Sequence, residues 1–116
     1  MRTRKPVDDR QEFIVQRGRL VRTVHTTRGG TYRHRCSLDA FQAVCRFIEE
    51  HAAEGVTCEM IWHGVPEVPC TPAAVAVAFL KERGCLVVEH RRCYPTSQVF
   101  FEDALVEFHA LTETAD

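Results

Sequence analysis

No apolar run in this chain approaches the roughly 20 residues that a membrane-spanning helix needs, so no membrane partner is expected. The basic start, with Arg2, Arg4 and Lys5, is not followed by an apolar segment, so a secretory signal is not expected and the expected location is cytoplasmic. The chain also lacks a phosphate-binding Gly-rich loop, a dinucleotide fingerprint and a nucleophile elbow. Its acidic clusters, Glu49-Glu50 and Glu102-Asp103, fall where helices face water. Neither catalysis nor a cofactor is therefore expected. CxxC pairs are missing too. His34-Arg35-Cys36, His90-Arg91-Arg92-Cys93 and the Cys58/His63 pair lack the paired spacing of structural zinc sites, so no metal is expected. No internal repeat or low-complexity linker interrupts the sequence.

What is present is enough for one domain with a real core. The chain has 116 residues, of which 45% are apolar and 27% charged, proportions that exclude wholesale disorder. Six cysteines (Cys36, Cys45, Cys58, Cys70, Cys85, Cys93) read as thiols of a reducing compartment, with Cys45 and Cys85 inside apolar segments. Arginines beside Cys36 and Cys93 are of the kind that lowers a thiol pKa, which raises a redox-sensing thiol as a minor expectation.

The net charge of −1 conceals a strong asymmetry. Residues 1–36 carry ten basic side chains against three acidic ones, a net +7; residues 37–116 carry five against thirteen, a net −8. Lysine is scarce, so nearly every cation is a guanidinium. Such a split suits a polyanion-binding face, or equally a basic segment docked on its own acidic body.

Residues 1–11 read as a flexible basic arm. Phe13-Ile14-Val15 is a short strand and Arg17-Gly18 a turn. Arg19–Thr26 alternates, Thr27-Arg28-Gly29-Gly30 supplies a hairpin turn, and Thr31–Arg35 returns, so residues 12–36 form an N-terminal β-hairpin unit. Arg17, Arg19, Arg22, Arg28, Arg33 and Arg35 lie on it, interleaved with threonines and Tyr32, and are the expected phosphate-contacting residues. An ordinary solvated sheet face is the competing explanation of the same charges.

Ser37 caps a helix along which Leu38, Phe41, Val44, Cys45, Ile48 and Ala52 recur at helical spacing up to Gly55. Thr57 caps a second, short helix ended by Gly64. A third is bounded by Thr71 as cap, Pro72 at its first position and Gly84 beyond its end. Cys85–His90 reads as a strand, Arg91–Ser97 as a basic loop, Gln98–Phe101 as the partner strand, and residues 102–113 as a last amphipathic helix.

From Ser37 onward this order, with Leu80-Lys81-Glu82-Arg83-Gly84-Cys85-Leu86-Val87 as the closest local match, resembles a winged-helix domain, the helix-turn-helix relative in which a β-hairpin wing follows the third helix. The resemblance covers residues 37–101. It implies an α+β fold: a winged-helix core of three helices plus a β-hairpin wing, here with an N-terminal β-hairpin extension and a C-terminal helix. It also implies a DNA-binding, transcription-regulator-like function; the apolar surfaces of the third helix add a homodimer or another protein as an expected partner. Thr71 on the third helix and Arg91, Arg92 and Tyr94 on the wing would then contact DNA.

The third helix departs from that pattern in its side chains. A base-reading helix carries polar groups near its N-terminus, whereas this one offers Pro72, Ala73, Ala74, Val75, Ala76, Val77 and Ala78. Its apolar residues go all the way round, so it is expected to be buried on two sides. The second covering would be the N-terminal hairpin, the last helix or another subunit. Phosphate contact through arginines is thus expected in place of base reading. The alternative is a protein-interaction or homodimerisation module whose interface comprises Val75, Val77, Phe79, Leu105 and Phe108.

Overall fold

The computed structural model describes residues 10–114. Most of the expected basic arm therefore lies outside the described residues. Its last two positions, Arg10 and Gln11, do not belong to an arm and open the first strand.

Three antiparallel strands, β1 (Arg10–Gln16), β2 (Arg19–His25) and β3 (Thr31–Ser37), form one sheet with β2 in the centre. Arg17 (φ 55°) and Gly18 (φ 75°) make the two-residue turn between β1 and β2. Two consecutive left-handed residues give a turn whose twist matches its strands. The register pairs Val15 with Leu20 and Leu20 with Cys36. Phe13, Val15, Leu20, Val24 and Cys36 thereby share one face, and all are buried. Alternation fixes the rest: Glu12, Ile14, Gln16, Arg19, Val21, Thr23, His25, Thr31, Arg33 and Arg35 lie on the opposite face.

Ser37 ends β3 and caps α1 (Leu38–Glu50) without an intervening loop, its hydroxyl accepting the Ala40 N–H at 3.1 Å. Thr57 caps α2 (Cys58–Gly64) in the same way through the Met60 N–H at 3.1 Å. Gly64 sits directly on the Phe47 ring. A Cβ there would come within 2.6 Å of the ring Cζ, so only glycine lets α2 approach α1 this closely.

α3 runs from Cys70 to Glu82 and starts two residues earlier than the sequence suggests. Pro69 stands at the N-cap with no side-chain hydrogen bond, and Thr71 and Pro72 fall within the first turn. Pro72 is tolerated there because first-turn N–H groups have no helical acceptor in any case. The C-terminus follows expectation: Gly84 (φ 78°) donates to the Lys81 carbonyl at 3.1 Å, and the Cys85 N–H reaches the Leu80 carbonyl at 2.9 Å. This pair of bonds is a Schellman motif.

β4 (Leu86–Glu89) and β5 (Arg92–Pro95) form a separate two-stranded antiparallel sheet. Here the structure corrects the expected strand partner. Pairing falls on Arg92–Pro95, which read as loop, because His90 (φ 51°) and Arg91 (φ 70°) turn the chain within two residues. Gln98–Phe101 is no strand: α4 runs Phe100–Thr114. Its first turn is organised from outside the segment. Glu49 of α1 accepts the Phe101 N–H at 3.2 Å, and the Ser97 hydroxyl accepts the Val99 N–H at 3.0 Å. An antiparallel bridge between Val56 and Cys93, with N···O distances of 2.9 and 2.8 Å, ties the α1–α2 connection to β5.

The core joins all of these pieces. The rings of Phe13 and Phe79 lie 5.4 Å apart, those of Phe41 and Phe79 5.9 Å, and those of Phe41 and Phe108 5.2 Å. Sheet, α1, α3 and α4 thus meet in one aromatic cluster, each ring pair worth about 1 kcal/mol beyond its area burial. α3 packs on β2 and β3, while α1 and α2 pack on α3 as well. Ala73, Val75, Ala76, Val77, Phe79 and Leu80 are all buried, so α3 is covered on two sides, as its all-round apolar surface suggests. The covering comes from the chain itself. The strands described as an extension are therefore a wall of the core. The fold is α+β, with four helices and two antiparallel sheets of three and two strands. Among the described residues no helix is long and apolar enough to cross a membrane.

Candidate nucleic-acid interface

Packing α3 against the sheet leaves the sheet's other face pointing outward. On it the register places Arg19, Arg33 and Arg35, with Arg33 and Arg35 two positions apart on β3. Their Cα atoms are about 6.6 Å apart at the usual rise of a strand. Arg17 projects from the β1–β2 turn and Arg28 from the five-residue β2–β3 loop, where Gly29 (φ 91°) donates to the Thr26 carbonyl at 3.0 Å. All five arginines are exposed. None of them forms an ion pair with a carboxylate among the described residues. Among the described residues Glu12 is the one acid on this face, and it stands 3.6 Å from His25. Residues 10–37 carry seven arginines against that single carboxylate, a net +6.

Among these arginines on the outward face lie Ile14, 46% exposed, and its cross-strand partner Val21, which is buried. A basic surface with an apolar strip suits phosphate oxygens and sugar carbons together. At one end of the face Gln16, Arg17, Arg19 and Arg35 line a recess of about 390 Å³. A second hollow, of about 540 Å³, lies between α1 and α2 and includes Phe47, His51 and Met60. Its rim carries Glu54 and Glu59, the wrong sign for a polyanion. Among the described residues no three His, Cys, Asp or Glu side chains gather to hold a metal ion.

The other expected contact residues are dispersed. Arg22 lies on the core-facing side of β2, where its Nε donates to Gln11 Oε1 at 2.9 Å. Arg92, at the start of β5, is tied to the α1–α2 connection, its guanidinium donating to the Glu54 and Gly55 carbonyls, each at 3.2 Å. The Tyr94 ring lies over Gly55, where an added Cβ would meet it at 2.7 Å. Thr71 is exposed in the first turn of α3, and Arg91 is exposed in the turn between β4 and β5. The expected interface residues Val75, Val77, Phe79 and Phe108 are buried, and Leu105 packs against the same core. The four buried residues hold the chain together and present no surface to a second copy, while Leu105 is half-buried.

The redox-thiol expectation is reversed by burial. Desolvation pushes the Cys36 thiol up to about 12 and raises Cys45 further still. Cys93 is likewise raised by burial, which outweighs the lowering effect of Lys81. Such thiols are poor nucleophiles, because the thiolate is the reactive form.

No family model, curated protein or solved structure matches the chain. Its function must therefore be argued from this face. Sequence reasoning missed Ile14, Gln16 and Arg10 as members of it. Period-2 alternation through a strand starting at Arg10 would have found them, since the Gln16–Arg19 pair across a two-residue turn sets which residues share a side.

Proposed function

We propose that this protein binds nucleic acid, duplex DNA first, through phosphate contacts from the outward face of the N-terminal sheet and the turns at its ends. One observation carries the reading: Arg17, Arg19, Arg28, Arg33 and Arg35 are exposed on one sheet with no carboxylate partner among the described residues. Holding five cations in one surface without counter-charge raises the self-energy of the fold, and a polyanion relieves it. The acidic helices, with Glu49, Glu50, Glu59 and Glu107, would orient the sheet toward DNA.

The finer fold reading is also a proposal. A helix, a bridge at Val56, two further helices and a two-stranded hairpin support a winged-helix-like core. In this chain the third helix is covered by β2 and β3, so a major-groove role for it finds no support, and the sheet takes over as the contact surface. DNA recognition of this kind follows the phosphate backbone and is weakly sequence-dependent. A transcriptional role is retained only in that general sense. A dimerisation module built on Val75, Val77 and Phe79 is disfavoured by their burial.

A salt titration of binding to duplex DNA tests the proposal. Affinity should fall steeply with salt, and each of Arg28→Ala, Arg33→Ala and Arg35→Ala should reduce the log–log slope by about one. Absence of binding at low salt would overturn it.

A further inference from the structure

We infer that the recess at the β1–β2 turn receives the terminal phosphate monoester of a nucleic-acid strand, so that the protein prefers phosphorylated ends to hydroxyl ends. The inference rests on the nucleic-acid reading and gives that face an end-recognising pocket.

The geometry follows from the turn. A two-residue connection makes Gln16 and Arg19 the last ladder pair, which puts both on the outward face beside the turn. Arg17, held at φ 55°, projects from the turn itself. Arg19 also pairs with Ser37, and Arg35 stands two residues before Ser37 on the same face, so Arg35 is the diagonal neighbour of Arg19. Three guanidiniums and one carboxamide consequently line a single recess of about 390 Å³, with no carboxylate among its lining residues.

The chemistry of that lining selects among phosphates. A backbone diester has one negative charge and two free oxygens. A terminal monoester carries about −1.5 to −2 at neutral pH and offers three strong acceptor oxygens. Each guanidinium presents five donors in a planar fork, and the Gln16 amide adds two more. This is more donor capacity than a diester can use in a concave site, and a monoester uses more of it. Walls of one sign also focus the field inside the recess, which favours the more highly charged group. The volume is at the low end of small-molecule sites, and large enough for the end of a strand. Beyond the recess and Arg35, Arg33 continues along the same face. A strand that ends in the recess would therefore lay its next phosphates over the surface already assigned to the backbone.

The test compares short DNA duplexes that are identical except for a terminal 5′-phosphate or 5′-hydroxyl, titrated by fluorescence anisotropy at fixed salt. The phosphorylated duplex is expected to bind about tenfold more tightly, the size of one further charge-assisted hydrogen bond. Arg17→Ala and Arg35→Ala should remove that preference. Arg33→Ala should weaken both duplexes and keep their ratio. Circular dichroism of each variant confirms that these exposed substitutions leave the fold intact. Equal binding of the two ends by the unmodified protein overturns the end-recognition inference and leaves backbone binding standing. A preference that survives both Arg17→Ala and Arg35→Ala overturns the assignment to this recess. Failure to bind either duplex overturns the underlying nucleic-acid reading as well.

Discussion

The tip of the β4–β5 hairpin should be the easiest place to stabilise this protein. His90 and Arg91 have φ values of 51° and 70°, both left-handed, and neither is glycine. Two-residue turns of this type favour Asn-Gly, because each position needs positive φ and a Cβ there meets the backbone. Holding an ordinary side chain in this region costs about 1 kcal/mol or more at each position. In His90→Asn/Arg91→Gly, asparagine tolerates the first position and glycine removes the penalty at the second. Glycine also loosens the unfolded chain, which returns about 0.5–1 kcal/mol. The net gain should be about 1–2 kcal/mol. For a chain of this length that is a rise in Tm of roughly 4–8 °C. Thermal unfolding followed by circular dichroism, with calorimetry to confirm a two-state transition, reads it directly. An unchanged or lower Tm would refute the reasoning, because the left-handed residues would then be supported by contacts stronger than their strain. The same protein reports on the β4–β5 hairpin as a contact surface. Arg91 is the arginine of this hairpin not tied to backbone carbonyls, and the double substitution removes it. A fall in the salt slope of about one unit would add a phosphate contact at this hairpin to those assigned to the sheet.

Two further outcomes follow from the core. Val77→Glu should unfold the protein, with a loss of more than about 3 kcal/mol, because Val77 is 4% exposed and a carboxylate there has no partner. A folded variant that has only changed its mass in light scattering would show instead that Val77 lies at a subunit interface. Alkaline pH should destabilise the fold through its buried thiols. Cys36 is raised to about 12 when folded but titrates near 9 when unfolded, so stability is constant below about pH 9. Between there and pH 12 the unfolded chain loses a proton that the native state keeps, and stability falls by about 1.4 kcal/mol per pH unit for this thiol. Urea midpoints at pH 8 and pH 10 should therefore converge in Cys36→Ala relative to the unmodified protein. Equal pH slopes in the two proteins would remove Cys36 as the cause.

Much of this molecule is written locally. Ser37 and Thr57 cap helices because a hydroxyl three residues before a free N–H is a short-range fact, and Gly84 ends α3 because the left-handed region is nearly closed to other residues. The β2–β3 hairpin is legible from alternation and its paired glycines. The charge split, and hence the prospect of a basic face, is a property of composition. So is the apolar girdle of α3, from which burial on two sides follows without coordinates. Other features depend on neighbours distant in sequence. Val99-Phe100-Phe101 has the apolar, aromatic character of a strand, and Glu49 receiving the Phe101 N–H helps to set the start of a helix there. The β4–β5 pairing rests on a strained turn that no turn-residue preference announces. Arg22 and Arg33 are alike as residues. Only the register decides that one is held by Gln11 on the inner face while the other stands free outside. Sequence alone thus determined which residues are basic, which are apolar, and where the helices capped by Ser37 and Thr57 begin and α3 ends. Tertiary structure decided that the sheet covers α3, because a helix apolar on every side is stable only when something is packed on each of them, and here the strands were the surface available.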